Sequence, residues 1–496
     1  MPRVSWLSGK CLVNKPPGGR KRVAVIGGGI TGLTAAHRLG ELDPALDIVL
    51  VEASSRLGGV LETVRRDDFL IERSADNFIT NVPWAVDFCR QIGFADRLVP
   101  TTSQQRQAMV VHRGRLERVP PGFTLMAPSR IWPLVTTPIL SPWGKLRLLG
   151  ERFIPRRTDG SDESLGSFAR RRFGRETFER IVQPLVGGIY TADPEKLSLR
   201  ATLPRFVEME RRWGSLIRAA RHERTNGDAE ESGARYGLFA APREGMTSLV
   251  QAIAARLPKD SVRLNTPVEK IARLPDGRWR LHLARQAAGG FDCDTALDCD
   301  GVIVAVGAPQ AARMLESLDH GLAAELSCIP YAGTSIVTLA YRREDIGHAL
   351  DGFGFVVPAV ENRRILAGSF SSVKFSGRAP ADRVLVRVFV GGACQSELAE
   401  LDDERLERLA VEELRSLLDT RGAPLFSDIA RWPHSMPQYH LGHCQLVAQI
   451  EAKVAGWPAF ELAGNAYHGV GIPNCIHSGQ TAAQRVHAAI QSLAAS

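Results

Sequence analysis

The sequence predicts a first domain of α/β class built on a βαβ unit, then α+β material with a middle block of loops and helices, and a return to α/β texture towards the end. Three observations carry this. A strand, glycine turn, helix and second strand fill residues 21–52; α/β texture returns after about residue 236; and the final segment comes back to a strand, a glycine-rich loop and a helix. With 496 residues and roughly 150 per domain, the chain holds about three domains. Apolar residues at 44% and charged residues at 23%, with 46 Gly and 29 Pro, are ordinary for globular proteins and exclude wholesale disorder and collagen-like structure.

Basic residues number 62 against 54 acids, a net charge of +8. The excess suits phosphates, carboxylates or an anionic membrane surface and does not by itself point to nucleic acid. Eight Cys residues form neither a C-x2-C metal pattern nor a secreted disulfide framework, so a reducing cytoplasm is expected and no metal site is assigned. Residues 1–20 lack an apolar signal-like run and read as a flexible lead-in. The longest apolar runs fall short of the ~18 residues needed to span a bilayer.

The first strand is RVAVI from Arg22, followed by glycines and then by Leu33, Ala36 and Leu39 at helical spacing. DIVLVE, from Asp47 to Glu52, is the second strand. Between about Thr101 and Arg224 the texture is Arg-, Pro- and Trp-rich and reads as loops and helices in place of sheet. Residues 222–235 are polar and mark a mobile surface loop at a domain crossing. Beyond them, VRLNTPVEKIARL, GRWRLHL, DCDGVIVAVG, ILAGSF and RVLVRVFVGG read as strands, and DERLERLAVEELRSLL as an amphipathic helix. The last helix is expected to start near Pro473 or Asn474, residues suited to a first turn or cap.

Gly27, Gly29 and Gly32 stand in G-x-G-x-x-G spacing between strand and helix, the context of a dinucleotide fingerprint. Gly27 permits the tight turn, Gly29 lets a pyrophosphate approach the backbone, and Gly32 allows helix and strand to pack closely. Glu52, at the end of the second strand, suits ribose hydroxyls and disfavours a 2′-phosphate. NAD and FAD both satisfy these features. Arg56, Gly58 and Gly59 then form R-x-G-G, which taken alone is also compatible with a surface turn.

Placed directly after the dinucleotide acid, R-x-G-G resembles the second fingerprint of the amine-oxidase-like flavoproteins, and the cofactor that this implies is FAD. The wider chain resembles the protoporphyrinogen and coproporphyrinogen oxidase family. The motifs are RLGGVLETV, ERSADNFIT, the run LMAPSRIWPLVTTPILSPWGKLRLLGERFIPRR, VGGIYTADPEKLSLRATLP, REGMTSLVQAIAARL, RWPHSMPQYHLGH and GNAYHGVGIPNCIHSG.

The resemblance implies a Rossmann-type FAD-binding domain from residues 21–80, 236–320 and 440–496. It implies a substrate-binding domain from 81–119, 209–235 and 321–439, and a helical, membrane-facing subdomain over 120–208. It further implies that Gly27, Gly29, Ile30, Thr31, Gly32, Glu52, Ala53, Arg56, Gly58, Gly59 and Val60 hold the dinucleotide. Ser74, Ala75 and Asp76 would approach the flavin, although ERSADNFIT departs from the usual E-x-G-P-x-S/G form. Val268 resembles the residue whose backbone meets the adenine; a plain sheet edge is the bland alternative, and the neighbouring GMTSLV favours the family reading. Gly464, Gly471 and Ile472 resemble residues lining the flavin ring, with the following helix aimed at it by its N-terminus. Trp432 would cover the ring, with core packing as the bland alternative. Cys475 reads as a buried inert thiol, so FAD is expected to be noncovalent.

The family reaction removes six electrons from a porphyrinogen, with dioxygen as acceptor and hydrogen peroxide released. No separate acid or base is required, and no catalytic side chain is assigned. Arg106 resembles the arginine that anchors propionates, at a spacing two residues longer than the family pattern; an exposed, ligand-free arginine reads as well. Gly188, in VGGIYTADP, resembles a glycine facing the tetrapyrrole, and here Thr191-Ala192 replaces the usual residues after the Tyr. Coproporphyrinogen III is favoured over protoporphyrinogen IX. Lys145 to Arg157 carries five basic residues against one acid beside Trp132, Trp143 and Phe153, which suits peripheral contact with the inner membrane face or, equally, solvated helices. A homo-oligomer stays open. The alternatives are a flavin amine or polyene oxidase on the same scaffold and a non-catalytic escort-type binding protein.

Overall fold

The computed structural model describes residues 19–102, 107–225, 239–284 and 296–495. A five-stranded parallel sheet forms its first centre. Strand β1 (Arg22–Ile26) leads through the glycine turn into α1 (Ile30–Leu42), and β2 (Asp47–Val51) pairs beside β1. Gly301–Val304 lies on the other side of β1, Phe460–Leu462 beyond it, and Val262–Arg263 outside β2. A parallel sheet must be covered on both faces, and the sequence supplies consecutive buried apolar side chains at Val23 to Ile26, Ile48 to Val51 and Val302 to Val304. Val23 and Val25 pack into a cluster with α1, the helix Met246–Ala254 and the C-terminal helix Ile472–Ala495. Ala24 and Ile26 face the opposite cluster, formed with an antiparallel sheet (Val268–Arg273, Trp279–Leu283, Ala296–Cys299) and the helices Ala308–Leu315 and His443–Val454. Each buried Val or Ile contributes roughly 1.5–3 kcal/mol.

The second centre is a seven-stranded sheet in the order Phe426–Pro437, Tyr331–Arg342, Arg383–Gly391, Ala367–Phe370, Gly354–Val356, Ala108–His112, Arg115–Arg118. Its neighbours are antiparallel except where Gly354–Val356 runs parallel to Ala108–His112. Val384, Val386, Val388 and Val390 alternate onto the helix Asp403–Leu418, which Asp402 caps by accepting from the Arg405 N–H at 2.8 Å. Leu385 and Arg387 face the other way, towards the first centre. A third cluster is mainly helical, from Trp132–Thr136 to Leu216–Thr225.

The structure departs from the sequence reading in several places. VRLNTPVEKIARL is not one strand: Val262–Arg263 and Val268–Arg273 belong to different sheets, parted at Asn265, whose φ is +51°, and at Pro267, which has no N–H to donate. Residues 222–225 are helical, continuing Leu216–Thr225, and 226–235 lie outside the described residues. The Arg- and Pro-rich stretch contributes the strands Ala108–His112 and Arg115–Arg118 to the larger sheet. Position 208/209 falls inside the continuous helix Pro204–Trp213, and Leu216, Ala219 and Ala220 pack in the helical cluster. The last helix starts at Ile472, one residue earlier than expected, leaving Pro473 in the first turn.

Candidate active site

Parallel strands deliver their following loops to one edge of a sheet, and ligands of such sheets bind beyond the carboxyl ends of the strands. The loop after β1 and the loop before the C-terminal helix both emerge there. Gly27 has φ +106°, and a Cβ on it would stand 2.5 Å from the Ala305 carbonyl oxygen. A Cβ on Gly32 would meet the Gly27 oxygen at 1.9 Å, which holds α1 against β1. Gly29 differs: half-buried, it has no protein atom within 4 Å of a Cβ position. It is also the N-cap of α1, with no side chain bonding the helix terminus and no acid in the first turn. An uncapped helix start beside an open cradle is suited to a phosphate.

R-x-G-G folds onto this loop. Gly58 donates its N–H to the Gly28 oxygen at 2.8 Å and forms a bridge with Gly29, while a Cβ on Gly59 would lie 3.3 Å from the Gly29 Cα. Glu52 holds the turn: Gly28 N–H donates to its Oε2 at 2.6 Å and Ser54 N–H to its Oε1 at 2.8 Å, so each carboxylate oxygen takes one main-chain hydrogen bond. Ala53 and Val60 are exposed beside it. Arg56 is turned onto its own loop, donating to the oxygens of Gly59 at 2.7 Å and Leu61 at 3.2 Å and pairing with Glu62 at 3.5 Å. Ile30 and Thr31 are buried in the first turn of α1. Val268 is buried at the start of its strand, two residues past Thr266, whose N–H donates to the Glu52 oxygen at 2.8 Å.

At the second loop, Gly464 has φ +133° and donates to the Ser478 hydroxyl at 3.0 Å, with the space at its Cβ position clear to 4.0 Å. Gly471 and Ile472 open the C-terminal helix, whose first turn carries no acid. That helix crosses α1 at close range because Gly479 leaves the Thr31 oxygen uncovered; a Cβ there would lie at 2.3 Å. Burial pushes the Cys475 thiol up to about 11, against a hydrogen bond with Thr31. Such a thiol is protonated and unreactive at neutral pH.

The ERSADNF segment joins the two sheets. The Trp432 Nε1–H donates to the Arg73 oxygen at 2.6 Å, and Arg73 makes a bidentate pair with Asp428 at 3.0 and 2.7 Å. Arg73 also lies 3.6 Å from Glu62, so a chain of charges runs from Arg56 to the strand carrying Trp432. Ala75 is exposed and the Ser74 hydroxyl is buried without a partner among the described residues. Asp76 is buried against Lys374 at 3.2 Å and Arg387 at 3.4 Å. Burial raises its carboxyl, but the two cations outweigh burial and hold it at about 2. Glu72 is the reverse case. Burial pushes it up to about 7, against Arg378 and hydrogen bonds from Thr63 and Met246.

The helix Gln183–Tyr190 carries Gly188 exposed near its end, with its Cβ position 3.1 Å from Val356 of the larger sheet. Thr191, with φ +48°, closes the helix and accepts from the Ala393 N–H at 2.8 Å. Arg106 lies outside the described residues. Sequence reasoning missed Glu72, Lys374, Arg378, Arg387 and the Arg73–Asp428 pair. Arg387 carried a signal, a charge in the apolar strand RVLVRVFV; the other five residues carry none.

The profile of flavin-containing amine oxidoreductases matches residues 30–487. The chain belongs to the flavin-containing amine oxidoreductase family. This oxidoreductase is 32% identical to the coproporphyrinogen III oxidase of Bacillus subtilis (strain 168) over 94% of its own length and 97% of the relative's. It is 26% identical to protoporphyrinogen oxidase 2 of Arabidopsis thaliana, covering 95% of each chain. A crystal structure from Exiguobacterium sp. 255-15, assigned provisionally to protoporphyrinogen oxidase, superposes with a TM-score of 0.83 at 30% identity, over 94% of this chain and 99% of the other. Putrescine oxidase, at 15% identity and a TM-score of 0.64, shares the fold across 95% of this chain and 99% of its own. The cofactor is FAD. Gly27 to Gly32, Glu52, the Gly58–Gly59 turn and the start of the C-terminal helix fit it: glycines clear the approach, α1 starts without a side-chain cap, and neither helix has an acid in its first turn to repel a negative group.

Proposed function

We propose that this flavoenzyme oxidises a porphyrinogen to the porphyrin in haem biosynthesis, with coproporphyrinogen III preferred to protoporphyrinogen IX. The observation that carries the reading is the likeness to coproporphyrinogen III oxidases at 31–33% identity over 92–99% of their lengths, against 26–28% for the plant protoporphyrinogen oxidases. The conversion removes six electrons and six hydrogens; with dioxygen as acceptor, three molecules are consumed and three of hydrogen peroxide released. When bound, FAD supplies the site that accepts each electron pair.

The chain's own residues have three tasks. Gly188 leaves the cleft wall beside Val356 free of a side chain, so that a flat tetrapyrrole can lie against it. Trp432, tied by its indole to Arg73, is assigned to cover the flavin ring, and the Arg73–Asp428 pair holds its strand to the ERSADNF segment. Arg106 is assigned to the propionates on the family resemblance. We also assign Trp132, Trp143, Leu146 and Phe153, which are 75, 80, 60 and 73% exposed, to peripheral contact with an anionic membrane face at a cytoplasmic site, aided by the adjacent basic residues. Among the described residues no helix is long and apolar enough to cross a membrane.

The test is an aerobic assay of the purified holoenzyme with each porphyrinogen, following porphyrin fluorescence and peroxide, with heated enzyme correcting for autoxidation. Faster turnover of the four-propionate substrate, with three peroxides per porphyrin, supports the reading. Preference for the two-propionate substrate reverses the order, and bound flavin with neither activity removes the assignment.

A further inference from the structure

Two stacked aromatic rings brace the loop that leads into the C-terminal helix. Tyr439 and His443 lie face to face, with ring centroids 3.9 Å apart and planes 12° from parallel, and both are buried. The Tyr439 hydroxyl donates to the Asn465 oxygen at 2.5 Å and accepts from the Gly469 N–H at 2.8 Å, so it ties the two ends of one turn. His443 Nε2 lies 3.1 Å from the Tyr467 oxygen. A carbonyl only accepts, so the proton sits on Nε2 and the imidazole donates. The loop has little stiffness of its own, since Gly464 and Gly469 take φ of +133° and +134°. Ser478 and Asn474 also bond it, but they belong to the helix that the loop has to place. The His468–Glu451 pair is exposed, where ion pairs hold little, and Asn465 Nδ2 reaches the Ser435 oxygen only at 3.5 Å.

Tyr439 is itself held from the helical cluster, in whose core it packs. Its oxygen accepts from the Ser198 N–H at 2.8 Å, and the Leu441 N–H donates to the Lys196 oxygen at 2.9 Å. Asp162 accepts from the Ser198 hydroxyl at 2.9 Å and from the Gly442 N–H at 3.2 Å, which clamps the same two segments together. Beside it, Gln438 Nε2 donates at 3.2 Å to the oxygen of Tyr190, the last residue of the helix that carries Gly188. The main chain around Tyr439 is thus fixed to the helical side, while its side chain reaches the flavin side. Its hydroxyl is the point at which position passes from one to the other.

We propose that Tyr439, with His443 stacked on it, is a positioning residue: anchored in the helical cluster, it holds the Asn465–Gly469 turn and so fixes where Gly464, Gly471 and Ile472 stand against the flavin ring. The inference rests on the reading that this loop lines the ring. Tyr439 acts through the loop. The C-terminal helix has no acid in its first turn and presents its N-terminal N–H groups where the loop puts them. Such groups favour the more negative, reduced form of a flavin.

The experiment uses the holoenzyme. Tyr439→Phe keeps the ring and its stack and removes only the hydroxyl. Flavin should stay bound, with its visible bands displaced and its midpoint potential lowered by about 30 mV, the two-electron equivalent of a tenfold weaker preference for the reduced form. Absorption spectra and redox titration against indicator dyes read both without any substrate. Tyr341→Phe, the same change at a buried tyrosine of the larger sheet, controls for a general loss of stability and should leave both as in wild type. If Tyr439→Phe does not fold, His443→Phe, which keeps a stacked ring and loses the bond to the Tyr467 oxygen, carries the test with the same expectation. A wild-type potential and spectrum in the variant, or an equal shift in Tyr341→Phe, overturns the proposal. Gly471→Ala then separates the two readings: a shifted potential there keeps the loop at the flavin and removes only the role of Tyr439, and an unshifted one removes the placement of the loop as well.

Discussion

Replacing Gly29 with Ser should move apoprotein stability and flavin affinity in opposite directions. Gly29 has φ −70° and ψ 177°, a conformation any L residue adopts, and no protein atom lies within 4 Å of its Cβ position. The new hydroxyl sits at the N-cap of α1, where it can accept from the N–H of Thr31 or Gly32. The better cap, together with the lost freedom of glycine in the unfolded chain, stabilises the apoprotein by roughly 0.5–1 kcal/mol. The same oxygen takes an N–H needed by the pyrophosphate and fills its approach. Losing one hydrogen bond to a charged group costs about 1.5–3 kcal/mol, so the FAD dissociation constant rises about 10- to 100-fold. Urea unfolding of the apoprotein measures the first effect, and titration of apoprotein with FAD by fluorescence quenching the second. Gly32→Ala is the contrast, since its Cβ would lie 1.9 Å from the Gly27 oxygen and both properties should fall. A Gly29→Ser protein that binds FAD as tightly as wild type would refute the placement of the pyrophosphate at this turn.

Three further outcomes follow from the geometry. Glu72 is held at about 7 against its ordinary 4.5, so between those pH values the folded state keeps a proton that the unfolded chain has lost. Its contribution is full below 4.5 and falls away by about 3 kcal/mol as pH rises through 7; Glu72→Gln should flatten that decline in urea unfolding measured across pH 5–8 (about the window concerned). The acid-side loss from Asp76, held at about 2 against 3.8, should remain in that variant. Gly188→Val places a side chain in the cleft against Val356, 3.1 Å from the Cβ position; KM for the porphyrinogen should rise on the order of tenfold or more with the flavin spectrum unchanged, and an unchanged KM would remove Gly188 from the substrate wall. Cys475→Ser should leave flavin content unaltered, and denaturation of the wild type should release all its flavin; flavin retained on the unfolded chain would show a covalent bond.

The parts of this molecule legible in its sequence are those where neighbours in the chain are neighbours in the site. Gly27, Gly29 and Gly32 are fixed by one strand-to-helix turn, so spacing alone carries their roles, and the buried strand RVAVI fixes the turn's place in the sheet. R-x-G-G resembles a dinucleotide fingerprint, and its Arg56 bonds its own loop and Glu62, partners that spacing does not reveal because which partner a long side chain takes is a tertiary matter. The charged junction shows the same limit more sharply. Asp76, Lys374, Arg378 and Arg387 are brought together only because a loop after the antiparallel strand Phe69–Glu72 meets one face of a sheet whose strand Arg383–Gly391 comes from 300 residues further along (about that distance). Lys374 and Arg378 look like ordinary surface residues until that sheet closes over them. Arg387 alone breaks the apolar rhythm of its strand, and a charge at an inward position of a core strand predicts an acid facing it. The tertiary fold supplies that acid from the flavin-side segment, which is why the two sheets cannot be understood as separate modules: the charge that burial makes costly in one is answered by the other.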